Sequence, residues 1–119
     1  MLKGLDHVNI ATAKLEETRR FFVDVLGFNE TPRPDFGIPG YWLALGGRDL
    51  LHLMGVEDGR HEGSIDHFAL AVADRDALRT RLKTMNVPFG EFSLPDGSRT
   101  QFMLKDPNGV TVELTWRAG

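Results

Sequence analysis

The chain has 119 residues, 41% of them hydrophobic and 26% charged, a balance that suits one domain with a packed core and excludes a disordered chain. A net charge of −3 leaves no general basic surface for nucleic acid, and no apolar run approaches the roughly 20 residues needed to span a bilayer. With no cysteine, disulfides, thiolate nucleophiles and thiolate-bound metals are excluded, and four histidines are left as the best ligands for a borderline metal ion.

Residues 5–11 alternate, with Leu5, His7, Asn9 and Ala11 on one side and Asp6, Val8 and Ile10 on the other, which predicts a half-buried strand. Thr12 is expected to cap a helix over 13–26, with Glu16 and Glu17 in its first turn, Leu15, Phe22 and Val25 or Leu26 along its apolar stripe, and Gly27 closing it. Strand-like runs follow, two of them separated by the turn Gly46-Gly47-Arg48-Asp49; in the run 50–54, His52 shares a side with Leu50 and Met54. The polar, glycine-rich stretch from Glu57 to Ser64 reads as a linker, and His61 within it is expected to be solvated. Residues 65–72 alternate again, His67, Ala69 and Ala71 opposite Phe68, Leu70 and Val72. Asp74 can cap a second helix with the stripe Leu78, Leu82 and Met85, ending at Asn86 ahead of Pro88. Asp106-Pro107-Asn108-Gly109 then turns between two last strands. In the final one Val112, Leu114 and Trp116 share one side, and Thr111, Glu113 and Thr115 the other.

The second half repeats the first. Leu5-Asp6-His7-Val8-Asn9-Ile10-Ala11 aligns with Ile65-Asp66-His67-Phe68-Ala69-Leu70-Ala71 at an offset of 60, and Leu50-Leu51-His52-Leu53 aligns with Thr111-Val112-Glu113-Leu114 at 61. Two copies of about 55 residues are too few for a solenoid. The expected architecture is a single α+β domain over residues 1–119. It is built from two tandem β-α-β-β-β modules, about 4–55 and 65–117, with the linker at 56–64. Their sheets are expected to curl into a cup with the helices outside.

A lone strand histidine is most often a hydrogen-bonded structural residue, and a strand glutamate is often an edge charge. The repeat changes that reading. His7 pairs with His67 and His52 with Glu113 at equivalent positions, and twofold packing of the modules would bring all four toward one axis. Neutral imidazoles and a carboxylate are what Zn²⁺, Fe²⁺, Ni²⁺, Mn²⁺ or Co²⁺ bind when sulfur is absent. Phe36, Tyr41, Trp42, Met54, Phe102, Met103 and Trp116 are candidates for an apolar pocket, though most strand aromatics are core. Arg19, Arg20, Arg33, Arg99 and Lys105 are candidates for an anionic group.

These features resemble the vicinal oxygen chelate superfamily, which includes glyoxalase I, extradiol dioxygenases, methylmalonyl-CoA epimerase, fosfomycin-resistance enzymes and metal-free bleomycin-resistance proteins. The resemblance covers essentially the whole chain. It rests on the paired modules, Leu5-Asp6-His7, Val25-Leu26-Gly27-Phe28, Ile65-Asp66-His67, and the run from Asp106-Pro107-Asn108-Gly109 to Glu113-Leu114. It implies that His7 and His67 are the first-strand ligands of the two modules and Glu113 the last-strand ligand of the second. His52 stands where glyoxalase I enzymes usually carry a glutamate. Four ligands would leave two adjacent open positions, and three would resemble the facial triad of iron oxygenases.

The function that the resemblance implies is a glyoxalase-type lyase or isomerase. Its one divalent ion would chelate vicinal oxygens of a small substrate and stabilise an enediolate, with Glu113 as general base. The alternatives are an Fe²⁺ extradiol-type dioxygenase, a fosfomycin-type transferase and a metal-free sequestering protein. No nucleotide-type cofactor site is expected. A cytoplasmic homodimer is expected, with neither nucleic acid nor membrane as partner.

Overall fold

The computed structural model describes residue 5, residues 7–58 and residues 67–119. Residues 59–64 of the expected linker, with His61, lie outside the described residues, as do Asp6 and Asp66. The chain divides into two compact units, Met1–Arg60 and His61–Gly119.

The first unit runs β1 (Val8–Thr12), α1 (Leu15–Arg20), β2 (Asn29–Thr31), β3 (Gly40–Leu45) and β4 (Arg48–Gly55). Its sheet has the order β1-β4-β3-β2, with β1 parallel to β4 and the other pairs antiparallel. The parallel pair follows from the crossover through α1, and the antiparallel pair β3–β4 from the tight Gly46-Gly47 turn. Ile10, Leu43, Leu51 and Leu53 form the buried side of this sheet with Phe22 and Phe28. Gly40 admits no side chain, because a Cβ there would lie 2.4 Å from the Leu53 carbonyl oxygen.

The helix expected over 13–26 differs in two respects. Strand pairing continues through Thr12, which lies opposite Gly55 and is fully buried. The helix therefore starts later, with Lys14 as N-cap, and no side chain caps it. The Thr12 hydroxyl instead accepts from the Lys14 N–H at 2.8 Å, bracing the bend between strand and helix. From Phe21 to Val25 the helix then widens into a π turn, in which the Leu26 N–H bonds the Phe21 carbonyl at 3.3 Å. Gly27, at φ 81°, closes the turn, and Phe22 and Phe28 meet edge to face at 5.6 Å.

The second unit repeats the order as β5 (His67–Val72), α2 (Arg75–Thr84), β6 (Gly90–Ser93), β7 (Arg99–Lys105) and β8 (Thr111–Arg117), arranged β5-β8-β7-β6. Asp74 caps α2 as expected, accepting from the N–H groups of Asp76 and Ala77 at 3.1 and 3.0 Å. Leu82 is fully buried, but Met85 is 40% exposed and drops out of the expected stripe. The helix reaches its C-cap at Met85, and Asn86 turns the chain with φ 56°. Phe102, Leu104, Val112 and Leu114 complete this core. The Asp106 carboxylate organises the β7–β8 turn by accepting from the N–H groups of Asn108 and Val110 at 2.8 and 2.9 Å. Among the described residues, no helix is long and apolar enough to cross a membrane.

Candidate metal centre

In both units the period-2 alternation puts apolar side chains against the core and the candidate ligands on the other side of the sheet. The first unit carries His7, immediately before β1, and His52, in the middle of β4. Across the ladder His52 lies opposite Asn9 on one side and Trp42 on the other. The His52 ring is sandwiched. Its centroid is 3.9 Å from that of His7 with 19° between planes, and 4.5 Å from that of Trp42 with 9° between planes. Phe36 extends the column at 6.2 Å from Trp42, and the Arg33 guanidinium lies over Phe36 at 5.0 Å.

In the second unit His67 opens β5 and Glu113 lies in β8, opposite Ala69 and Met103. The His67 Nε2 is 3.5 Å from Glu113 Oε1, and an Arg99 guanidinium nitrogen is 3.6 Å from Oε2. The Thr115 hydroxyl donates to Oε2. Although only 5% of Glu113 is exposed, its carboxyl is held below the usual carboxylate range. The Thr115 hydrogen bond is the main cause, outweighing burial, and Gln101, His67 and Arg99 add to it. Glu113 is thus an ionised carboxylate at neutral pH. Beside it a hollow of about 360 Å³ is lined by Ala69, Ala71, Arg99, Glu113, Thr115 and Arg117. The two alanines make this space where larger strand residues would fill it.

The donor chemistry suits a borderline divalent ion. Two donors bound side by side at about 2.0–2.2 Å from one ion stand roughly 3 Å apart, close to the His67–Glu113 separation. Among the described residues the candidates form two pairs, one in each unit, and no group of three or more histidine, aspartate or glutamate side chains is already gathered around one point.

The other sequence candidates separate clearly. Phe102 is core, Phe36 is 58% exposed and Trp116 lies beneath Arg75, whose guanidinium is 4.2 Å from its ring centroid. Tyr41 donates to Glu16, which also pairs with Arg19 at 3.1 Å. Arg33 donates to the Ile38 carbonyl and Lys105 to the Thr111 hydroxyl. Of the five proposed cations, Arg99 is the one beside Glu113, and among the described residues its buried Nε has no hydrogen-bond partner. Thr115 and Arg117 also line the hollow, though neither is among the candidates that residue type alone suggests. Their signal is alternation: both share the Glu113 side of β8.

Two sheets of identical topology, each with a histidine leading its first strand, define the glyoxalase-like class of α+β fold. The chain belongs to the Glyoxalase/Bleomycin resistance protein/Dioxygenase superfamily, whose model matches residues 4–114. Among solved structures it is similar to a glyoxalase family protein from Bacillus anthracis, with 25% identity, a TM-score of 0.83, and coverage of 99% of this chain and 98% of that one. It is similar in fold to FosX, a fosfomycin resistance protein from Listeria monocytogenes, at 18% identity and a TM-score of 0.80, covering 99% and 96% of the two chains. A lactoylglutathione lyase from Agrobacterium tumefaciens shares the fold at 18% identity and a TM-score of 0.74, with coverage of 98% and 95%. No curated protein matches the sequence.

Proposed function

We propose that the protein is a metal-dependent isomerase or lyase of the glyoxalase type, acting on a small substrate with two adjacent oxygens. The observation that carries this reading is the pair His67 and Glu113, an imidazole and an ionised carboxylate 3.5 Å apart beside a hollow of substrate size. We assign His7, His67 and Glu113 to one divalent ion (Zn, Ni, Mn, Co or Fe), with His52, stacked on His7, as the remaining candidate, in a chain read as one glyoxalase-like domain. When bound, such an ion supplies Lewis-acid stabilisation for charge developing on the two vicinal oxygens.

The chain's own residues supply the rest. Glu113 accepts a proton from the carbon next to one oxygen and returns it to the neighbouring carbon, so the net change is an isomerisation with no other reactant. The Thr115 hydroxyl holds the carboxylate in place, and Arg99 and Arg117 attract a negatively charged group into the hollow. Having one carboxylate rather than two leaves more positive charge at the ion, which also favours an anionic substrate. One feature favours a second reading, an Fe²⁺-dependent dioxygenase: two histidines and one carboxylate are also the donor set of a facial triad. We further propose a homodimer, since Phe36, Ile38, Phe92 and Leu94 are exposed apolar side chains that a second copy can cover.

The test strips the protein with a chelator, reloads it with each of the five ions and assays isomerisation of a 2-oxoaldehyde–thiol adduct, with oxygen-dependent catechol cleavage as the second arm. Activity restored on the adduct, and reduced about 100-fold or more in Glu113→Gln with metal retained, is the expected result. Cleavage of the catechol by the iron form alone selects the second reading.

A further inference from the structure

We infer that His52 is a positioning residue for His7 rather than a fourth metal ligand, and this inference rests on the metal reading above. The lone pair of an imidazole nitrogen lies in the plane of its ring, so an ion bound at about 2.0–2.1 Å must lie near that plane. The His7 and His52 planes are within 19° of parallel and the rings are stacked face to face. An ion in the plane of one ring therefore sits roughly 3.5 Å, a full contact distance, away from the plane of the other. No lone pair of the second ring points at it. While the stack persists, one of the two histidines can bind.

The surroundings decide which one. His7 is exposed and touches the stack with one face, whereas His52 is half-buried with a ring against each face. Turning His52 toward an ion would break its stacking on both Trp42 and His7, whereas turning His7 would disturb its stacking on His52. The strand register fixes this order, because Trp42 lies directly opposite His52 in the β3–β4 ladder. The Trp42–His52 pair is thus a flat support that sets the plane of the His7 ring. A flat support needs an aromatic ring at position 52. A ligand needs a nitrogen.

The full-length protein distinguishes the two. Zn²⁺ affinity is measured by chelator competition, and the Co²⁺-loaded protein is examined by visible absorption, in wild type, His52→Phe, His52→Ala, Trp42→Leu and His7→Ala. Phenylalanine should hold affinity within about threefold of wild type with the Co²⁺ bands unmoved, while alanine should weaken it about 10-fold or more, the scale for losing a residue that orients a ligand. Trp42→Leu, which removes no donor, should also weaken binding and covers the case in which His52→Phe fails to fold. Equal losses in His52→Phe and His52→Ala, with shifted Co²⁺ bands, would make His52 a ligand and overturn the inference, as would full affinity in His52→Ala or Trp42→Leu. A wild type that binds no Zn²⁺, or a His7→Ala that binds it unchanged, would overturn the metal reading and the inference with it.

Discussion

The two units share one strand order, with a register shift between Leu43 and Ala44 in the first only, but use the side of the sheet away from the core differently. At the equivalent position of the last strand the first unit has His52 opposite Trp42, and the second has Glu113 opposite Met103. In the first unit the result is a column of stacked rings. In the second it is a buried, ionised carboxylate held by Thr115 and flanked by His67 and Arg99. A duplicated scaffold thus provides two equivalent positions, and the cross-strand neighbour helps decide what each can do. Aromatic partners favour orientation, and polar partners favour charge.

The comparison implies that the two cores are more alike than the two sites. Phe22 and Phe102 are both fully buried, so Phe22→Ala and Phe102→Ala should each cost about 3–5 kcal/mol in denaturant unfolding. A loss confined to one of the variants would break the equivalence of the units.

Helix capping separates the units on a smaller scale. Asp74→Ala removes two hydrogen bonds at the start of α2 and should cost roughly 1 kcal/mol, whereas Lys14→Ala, at a position with no capping side chain, should change stability by less than about 0.5 kcal/mol. Comparable losses in both would show that the first helix is capped by another route.

The smallest effect is pH-dependent. Arg79 pairs with Glu91 through two short contacts, at 2.8 and 2.7 Å, and these hold the Glu91 carboxyl below the usual carboxylate range. A lowered folded-state value means stability that is present at neutral pH and lost as pH falls through that value. Glu91→Gln should therefore lower Tm at pH 7, with the gap to wild type closing in acid. A gap that widens in acid would contradict the assignment.

Much of the scaffold was legible from alternation and turn chemistry. Val8, Asn9 and Ile10 announced a strand with one polar side, Asp74 announced a helix start, and the offsets between the halves announced two modules of the same strand order. The π turn after Arg20 was not legible, since an extra residue in a helical turn leaves the apolar spacing nearly unchanged. Nor was the position of Thr12, whose side chain suits a cap but whose backbone belongs to β1. The candidate site was legible only as residue types on strand faces. The stacking of His52 between two rings and the approach of Arg99 to Glu113 depend on cross-strand register, which a one-residue shift would abolish.

The proposed assignment gives His7, His67 and Glu113 one divalent ion. Elemental analysis of purified wild type and His67→Ala, each verified as folded by circular dichroism, tests it most directly. About one equivalent of divalent metal per wild-type chain is expected after loading, with loss of most of it in the variant, because removing one donor strips affinity while the scaffold stands. Equal metal content in the two proteins, or a wild type that retains none, would contradict it.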